Sequence, residues 1–188
     1  MKIFGLAGTH ASGKDTIADL LVSKYGYFHV STGDIFREEA TKRYGSIERP
    51  VLYKTANEIR NKDGYGAVSF LALQRYEAVK EKFPNGLVVS GFRALEEAKV
   101  IKEAGGIIVF VDADADIRFK RLKDRARAEE SDLSREEFNN REDAENGQTD
   151  PAFNILAIKD IADITINNNG DSIENFKNDA ETALGISG

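Results

Sequence analysis

GTHASGKDT, Gly8 to Thr16, directly follows the apolar run Ile3-Phe4-Gly5-Leu6-Ala7. The stretch approaches the pattern G-x-x-x-x-G-K-[S/T]. In that pattern glycines let backbone N–H groups close around phosphates, a helix N-terminus adds partial positive charge, and the lysine reaches the terminal phosphate oxygens. Asp15 stands directly after Lys14, and Thr16 supplies a hydroxyl one residue later. Ile17, Leu20, Leu21 and Tyr25 then fall on one helical face, so the loop lies between a strand and an amphipathic helix. The expected ATP-binding residues are Gly8, His10, Ala11, Ser12, Gly13, Lys14, Asp15 and Thr16, with Lys14 also catalytic. Asp15 either points outward as a favourable first-turn anion or, with Thr16, leans toward a magnesium ion.

Around this loop the chain is ordinary in composition: 188 residues, 41% hydrophobic, 31% charged and a net charge of −6. That length suits one well-buried core. The acidic balance argues against nucleic acid or an anionic membrane as a general partner. Without cysteine there is no disulfide and no thiolate metal site. The N-terminus has no secretory-signal pattern and the longest apolar run is too short to span a bilayer, so a cytoplasmic protein is expected.

Apolar, β-branched runs at Lys2–Ala7, Tyr27–Val30, Leu87–Ser90, Ile107–Asp112 and Asp163–Asn168 alternate with helical patterns. Continuous runs such as IIVFV suit strands covered on both faces, and the alternation predicts a doubly wound α/β domain. Residues 34–83 read as three consecutive helices, with Leu52, Ala56 and Ile59 on one face and Val68, Leu71, Val79 and Phe83 on another. Residues 128–150 are polar and poor in core residues. Both segments read as excursions from the sheet that can cover a site.

Ser31-Thr32-Gly33-Asp34-Ile35-Phe36-Arg37 resembles the S-T-G-D-x-x-R segment of adenylate kinases, which lines their acceptor-nucleotide pocket. Ser90-Gly91-Phe92-Arg93 resembles their D-G-F-P-R motif, without the proline and with Ser90 in place of an aspartate that orients magnesium-bound water. Arg121 and Arg125 match the spacing of their donor-site arginines. Over nearly the whole chain, the runs SGFRALEEAKV, IRFKRLKDRAR and IADITINNNGDSIENF resemble an uncharacterised archaeal-type nucleotide kinase family related to dephospho-CoA kinases. The resemblance implies a P-loop kinase fold, with a five-stranded parallel sheet in the order 2-3-1-4-5. It implies a single domain over 1–188, an acceptor-binding helical region at about 32–83 and a short lid at about 126–150. The implied acceptor-binding residues are Thr32, Gly33, Asp34, Arg37, Arg60, Gly91 and Arg93. Arg121 belongs to the ATP side, and Arg125 and Arg141 to the lid.

At 100° per residue, Arg118, Arg121 and Arg125 share one stripe, and Phe119, Leu122 and Ala126 form an apolar stripe beside it. Phosphoryl transfer spreads charge over equatorial oxygens, which rigid guanidinium forks stabilise. Arg93, Arg121 and Arg125 are accordingly the catalytic arginines expected beside Lys14. Asp112 offers an alternative magnesium-facing carboxylate or a cap for the next helix, whereas neither His10 nor His29 requires a chemical role. The expected function is an ATP-dependent phosphotransferase acting on a (deoxy)nucleoside monophosphate, with Mg2+ carried by ATP and no protein-held metal. Dephospho-CoA kinase and a regulatory P-loop NTPase switch are the alternatives. The expected state is monomer or homodimer.

Overall fold

The five apolar runs form the five strands of a single parallel sheet in a computed structural model that describes residues 1–124, 133–147 and 153–186. They are β1 (Lys2–Gly8), β2 (Phe28–Ser31), β3 (Gly86–Ser90), β4 (Ile107–Asp112) and β5 (Ile164–Asn167). Their order is β2-β3-β1-β4-β5, as the family resemblance implied. β1 is central, with Leu6 opposite Ser90 on β3 and Val109 on β4. β1 and β2 each run one residue further than their apolar patterns. β2 passes into the next helix without a loop, at Ser31–Thr32.

Nine helices appear among the described residues: α1 (Lys14–Ser23), α2 (Thr32–Tyr44), α3 (Arg49–Asp63), α4 (Ala67–Glu77), α5 (Leu95–Glu103), α6 (Ala115–Asp124), α7 (Arg135–Glu145), α8 (Ile155–Asp160) and α9 (Ile173–Leu184). The three helices expected between the second and third strands are α2, α3 and α4. α4 ends at Glu77, so Val79 and Phe83 join its core from the following turn rather than from the helix itself. Of the segment 126–150 expected as a lid, the described part contains α7; Arg125 and Ala126 lie outside the described residues.

Strand residues alternate between two cores because successive side chains leave opposite faces of the sheet. Leu87 and Val89 pack with Ile35, Ile59, Val68 and Ile101 from α2–α5. Val88 packs on the other face with Phe4, Leu6, Ile17, Leu21 and Phe176, beneath α1 and α9. Phe4, Phe92 and Phe110 are fully buried, each worth about 1.5–3 kcal/mol in apolar surface removed from water. A smaller third cluster joins Ala11 of the loop after β1 to Leu122 on α6, Leu133, and Phe138 on α7. The functional loops gather at the C-terminal edge of this sheet, where parallel α/β sheets bind ligands.

Candidate active site

Two glycines shape the loop between β1 and α1. A side-chain carbon on Gly8 would lie 2.2 Å from the Val111 carbonyl oxygen, so only glycine lets β1 pass β4 this closely as it turns. Gly13 has φ 105° and starts α1 without a side-chain cap, which leaves the first helical amides to the loop's concave side. Ala11, at φ 62°, is the one non-glycine with positive φ among the described residues, and packing against Leu122, Leu133 and Phe138 holds it there. Ser12 is fully buried and its Oγ has no hydrogen-bond partner. Lys14 Nζ lies 3.7 Å from the Asp15 carboxylate, and Asp15 points outward with its side chain 66% exposed.

Asp112 anchors the loop and is not a free metal ligand. Its Oδ1 accepts from Thr9 Oγ1 at 2.9 Å and from the Ala113 amide at 2.9 Å, and its Oδ2 accepts from Lys159 Nζ at 2.7 Å. Burial pushes the carboxyl up, but the bonds from Lys159 and Thr9 and the Lys159 charge outweigh it and hold the pKa below its ordinary value. Both oxygens are engaged by protein donors, so Asp112 tethers the end of β4 to the glycine loop. No group of three or more His, Cys, Asp or Glu among the described residues forms a metal cage.

At the end of β3, Ser90 is buried and its Oγ lies 2.8 Å from His29 Nε2 on β2. His29 is exposed as a whole residue, yet its Nε2 meets this buried hydroxyl. Desolvation lowers its pKa against the pull of Asp19, Asp34 and Asp15. His29 therefore has a specific polar partner that its sequence context did not suggest.

Beyond β3 lies a cavity of about 470 Å³. Of the residues expected to bind the acceptor, Thr32, Gly33, Arg37, Arg60, Gly91 and Arg93 line it together; Asp34 stands outside and pairs with Arg37 at 2.5 Å. Arg60 lies among three rings, its guanidinium carbon 4.5 Å from the Phe153 centroid, 5.1 Å from Phe36 and 5.7 Å from Tyr65. Arg93 is ion-paired with Glu145 of α7 at 2.7 Å. Glu97 is buried in the cavity wall, where its Oε2 accepts from the Arg93 and Ala94 amides at 2.7 and 2.8 Å. Burial raises its pKa, opposed by those amides and by Arg60 and Arg93.

The arginine stripe divides. Arg118 is buried between α6 and α7, where it donates to the Ala113 carbonyl at 2.8 Å and pairs with Glu142 at 2.6 Å. Its backbone position continues the stripe, but its side chain follows Leu122 into the interface, so it serves α7 docking. Arg121 Nη2 reaches Asn168 Oδ1 at 3.3 Å and the Gly170 carbonyl at 3.1 Å, on the loop after β5. Arg125 lies outside the described residues. Arg141 is exposed on α7 and does not line the cavity.

Sequence reasoning missed Asn168, Glu97, Glu145, Arg49 and Phe153. Arg49 and Phe153 are cavity wall. The Asn167-Asn168-Asn169 run was a usable signal, because three amides after a strand are poor strand formers. Glu97 escaped because its capping partner position holds Ala94, which lacks the hydroxyl of the usual motif. Glu145 had no signal among the many acids of that segment.

A family model described as AAA domain matches residues 7–139. The chain is 31% identical over 180 residues to a UPF0200/UPF0201 protein of Archaeoglobus fulgidus, covering 94% of this chain and 53% of that protein. A UPF0200 protein of Thermococcus kodakarensis is 32% identical over 169 residues, covering 88% and 87%. Against the first of these the chain spans about half the relative's length. An adenylate kinase of Prochlorococcus marinus is 33% identical over 134 residues, covering 66% of this chain and 69% of that one. Among solved structures, TT1252 from Thermus thermophilus superposes with TM-score 0.63 at 19% identity, covering 100% and 98%. A shikimate kinase from Bacteroides thetaiotaomicron superposes with TM-score 0.57 at 16% identity, covering 98% of each chain; at these identities the likeness is one of fold.

Proposed function

Since the chain belongs to the UPF0200 family, within the P-loop nucleoside monophosphate kinase-like proteins, we propose that it moves the γ-phosphoryl of Mg-ATP to a (deoxy)nucleoside monophosphate. One observation carries this reading. The cavity lined by Arg37, Arg60 and Arg93 opens beyond β3, separate from the glycine loop but on the same edge of the sheet. A kinase needs two anion sites side by side, and a nucleotide switch needs one. The cavity's volume is within the range of small-molecule sites, and Phe36, Tyr53 and Phe153 give it aromatic walls suited to a base.

In this reading the loop amides and Lys14 hold the β- and γ-phosphates of the donor, and Arg121 adds positive charge from α6. Arg37 and Arg93 hold the acceptor phosphate in line. An acceptor phosphate oxygen forms the new bond to the γ-phosphorus as the bond to the β–γ bridging oxygen breaks, and ADP leaves. The acceptor phosphate is already anionic, so no general base is required and catalysis rests on positioning and charge. The donor set at the loop (amides, a lysine, Thr16 and the orphaned Ser12 hydroxyl) fits phosphate oxygens, with Mg2+ arriving on the nucleotide and neutralising their charge.

The test is a coupled assay with ATP against a panel of nucleoside monophosphates and dephospho-CoA, followed by a steady-state matrix in which both substrates vary. Arg37→Ala and Arg93→Ala should raise the acceptor KM, lowering acceptor kcat/KM by roughly 10- to 150-fold for one charged hydrogen bond each, with ATP affinity nearly unchanged. Arg121→Ala should weaken ATP or lower kcat. Rapid ATP hydrolysis that no acceptor alters would replace this reading with the switch.

A further inference from the structure

Asn168 follows the last residue of β5 and is only 8% exposed. Its backbone amide donates to the Asp112 carbonyl at 2.7 Å, which seats it beside the end of β4. Its side chain then faces two groups of opposite character. Nδ2 donates to the Ser12 carbonyl of the glycine loop at 2.7 Å, and Oδ1 accepts from Arg121 Nη2 at 3.3 Å. The reversed amide would oppose acceptor to acceptor at Ser12 and donor to donor at Arg121, so the pair of contacts fixes one orientation.

The fit to the loop is close. A side-chain carbon on Gly13 would come within 2.5 Å of Asn168 Nδ2, so the amide occupies the space that this glycine leaves open. Arg121 is held at a second point by the Gly170 carbonyl at 3.1 Å, two residues further along the same loop. On its other side, Asn169 Oδ1 accepts from the Asp114 amide at 2.8 Å and ties the loop to the start of α6. The glycine loop, the end of β4 and α6 therefore meet at one residue, Asn168.

We propose that Asn168 is a positioning residue for the donor site, setting the distance between the glycine loop and Arg121 so that both address one polyphosphate. Its contribution is geometric. A buried amide with both ends satisfied is rigid, and it transmits the position of the glycine loop to Arg121, which the Gly170 carbonyl also holds. Neither Asp nor Leu substitutes for it: Asp places an acceptor against the Ser12 carbonyl, and Leu removes both the donor to that carbonyl and the link from it to Arg121. The role rests on the proposed reading of the loop as the donor-nucleotide site.

The experiment is a double-mutant cycle on the full chain, with Mg-ADP as the probe and isothermal titration calorimetry as the readout. Arg121→Ala should weaken Mg-ADP roughly tenfold in the native background, and much less than that when Asn168 is already Ala, because the arginine has then lost the contact that sets it against the glycine loop. In steady state, Asn168→Ala should raise the KM for ATP while the acceptor KM stays within twofold. Asn168→Asp is isosteric and serves if the Ala variant fails to fold; it should also weaken Mg-ADP, despite keeping an acceptor toward Arg121. Equal Arg121→Ala penalties in both backgrounds, or Asn168→Asp binding Mg-ADP as tightly as the native chain, would overturn the inference. A native chain that binds neither Mg-ADP nor Mg-ATP would remove the donor-site reading itself, and this role with it.

Discussion

The carboxylate of Glu145 lies 2.7 Å from the guanidinium of Arg93, joining the last turn of α7 to the segment that follows β3. The arginine assigned to the acceptor phosphate is thus already charge-paired. Glu145→Gln removes the competing anion, so the acceptor KM should fall. Arg93 is about half exposed although Glu145 is only 16% exposed, and with solvent screening at the arginine the pair is worth ~1 kcal/mol, a gain of about fivefold. Steady-state kinetics at fixed saturating ATP measures it; an unchanged or higher KM would mean that Glu145 helps hold the acceptor.

Lys14→Ala should abolish ATP turnover while leaving the melting temperature within a few degrees of the native value. The lysine stands at the start of α1 with its side chain 20% exposed, but it belongs to none of the three apolar clusters, so the core does not depend on it. Differential scanning fluorimetry and the coupled assay, run on one preparation, separate lost chemistry from lost fold.

Arg118→Ala should destabilise the chain by about 3 kcal/mol, because it leaves Glu142 facing a buried site with no counter-charge. Replacing both members, Arg118→Met with Glu142→Leu, should recover most of that loss, since an apolar pair suits the ring of Phe138 lying 5.5 Å away. Urea midpoints of the single and double variants give the comparison. A double variant as unstable as the single one would argue that the ion pair is required for its own sake.

Asp112 links acidity to stability. Its folded pKa is depressed, so the stability it contributes is present above its unfolded value of ~3.9 and is lost as pH falls through the lower folded value. Asp112→Asn should therefore flatten the fall in urea midpoint below about pH 4. Asp163 and Glu181, whose pKa values are also depressed, leave a residual slope of the same sign. The same variant keeps an oxygen for Thr9 and the Ala113 amide but turns an NH2 group toward the Lys159 ammonium, so the contact it loses is the one to Lys159.

What could be read from the sequence followed from periodicity. Runs such as Ile107–Asp112 exceed any helical repeat and announce buried strands, and a strand that meets Gly8 and Lys14 at fixed spacing announces the loop. Arg37 and Arg93 were legible because their motifs sit at strand ends, which the sheet brings together, and Arg60 because it closes a helical pattern in the segment between β2 and β3. The side-chain direction of Arg118 was not legible, because a stripe computed from angles alone cannot say which side α7 will cover. Glu145 and Asn168 depend on contacts across 52 and 156 residues of chain, to Arg93 and Ser12, and no local pattern encodes such distances. Helix ends were also blurred, as at Glu77, where the apolar pattern outlasts the helix.

The small cluster of Ala11, Leu122, Leu133 and Phe138 stands apart from the two large cores on either side of the sheet. Four buried side chains carry far less free energy than those layers, so beyond the Arg118–Glu142 pair this cluster gives α7 and the glycine loop little apolar support. Ala11 adds to that, since a left-handed alanine costs roughly 1–2 kcal/mol and its neighbours must offset it. When the cluster opens, the glycine loop and α7 lose their shared support in the same event. In a hydrogen-exchange experiment, the amides of Phe138 and its helix should therefore exchange together with those of the loop, well before the strands that flank them.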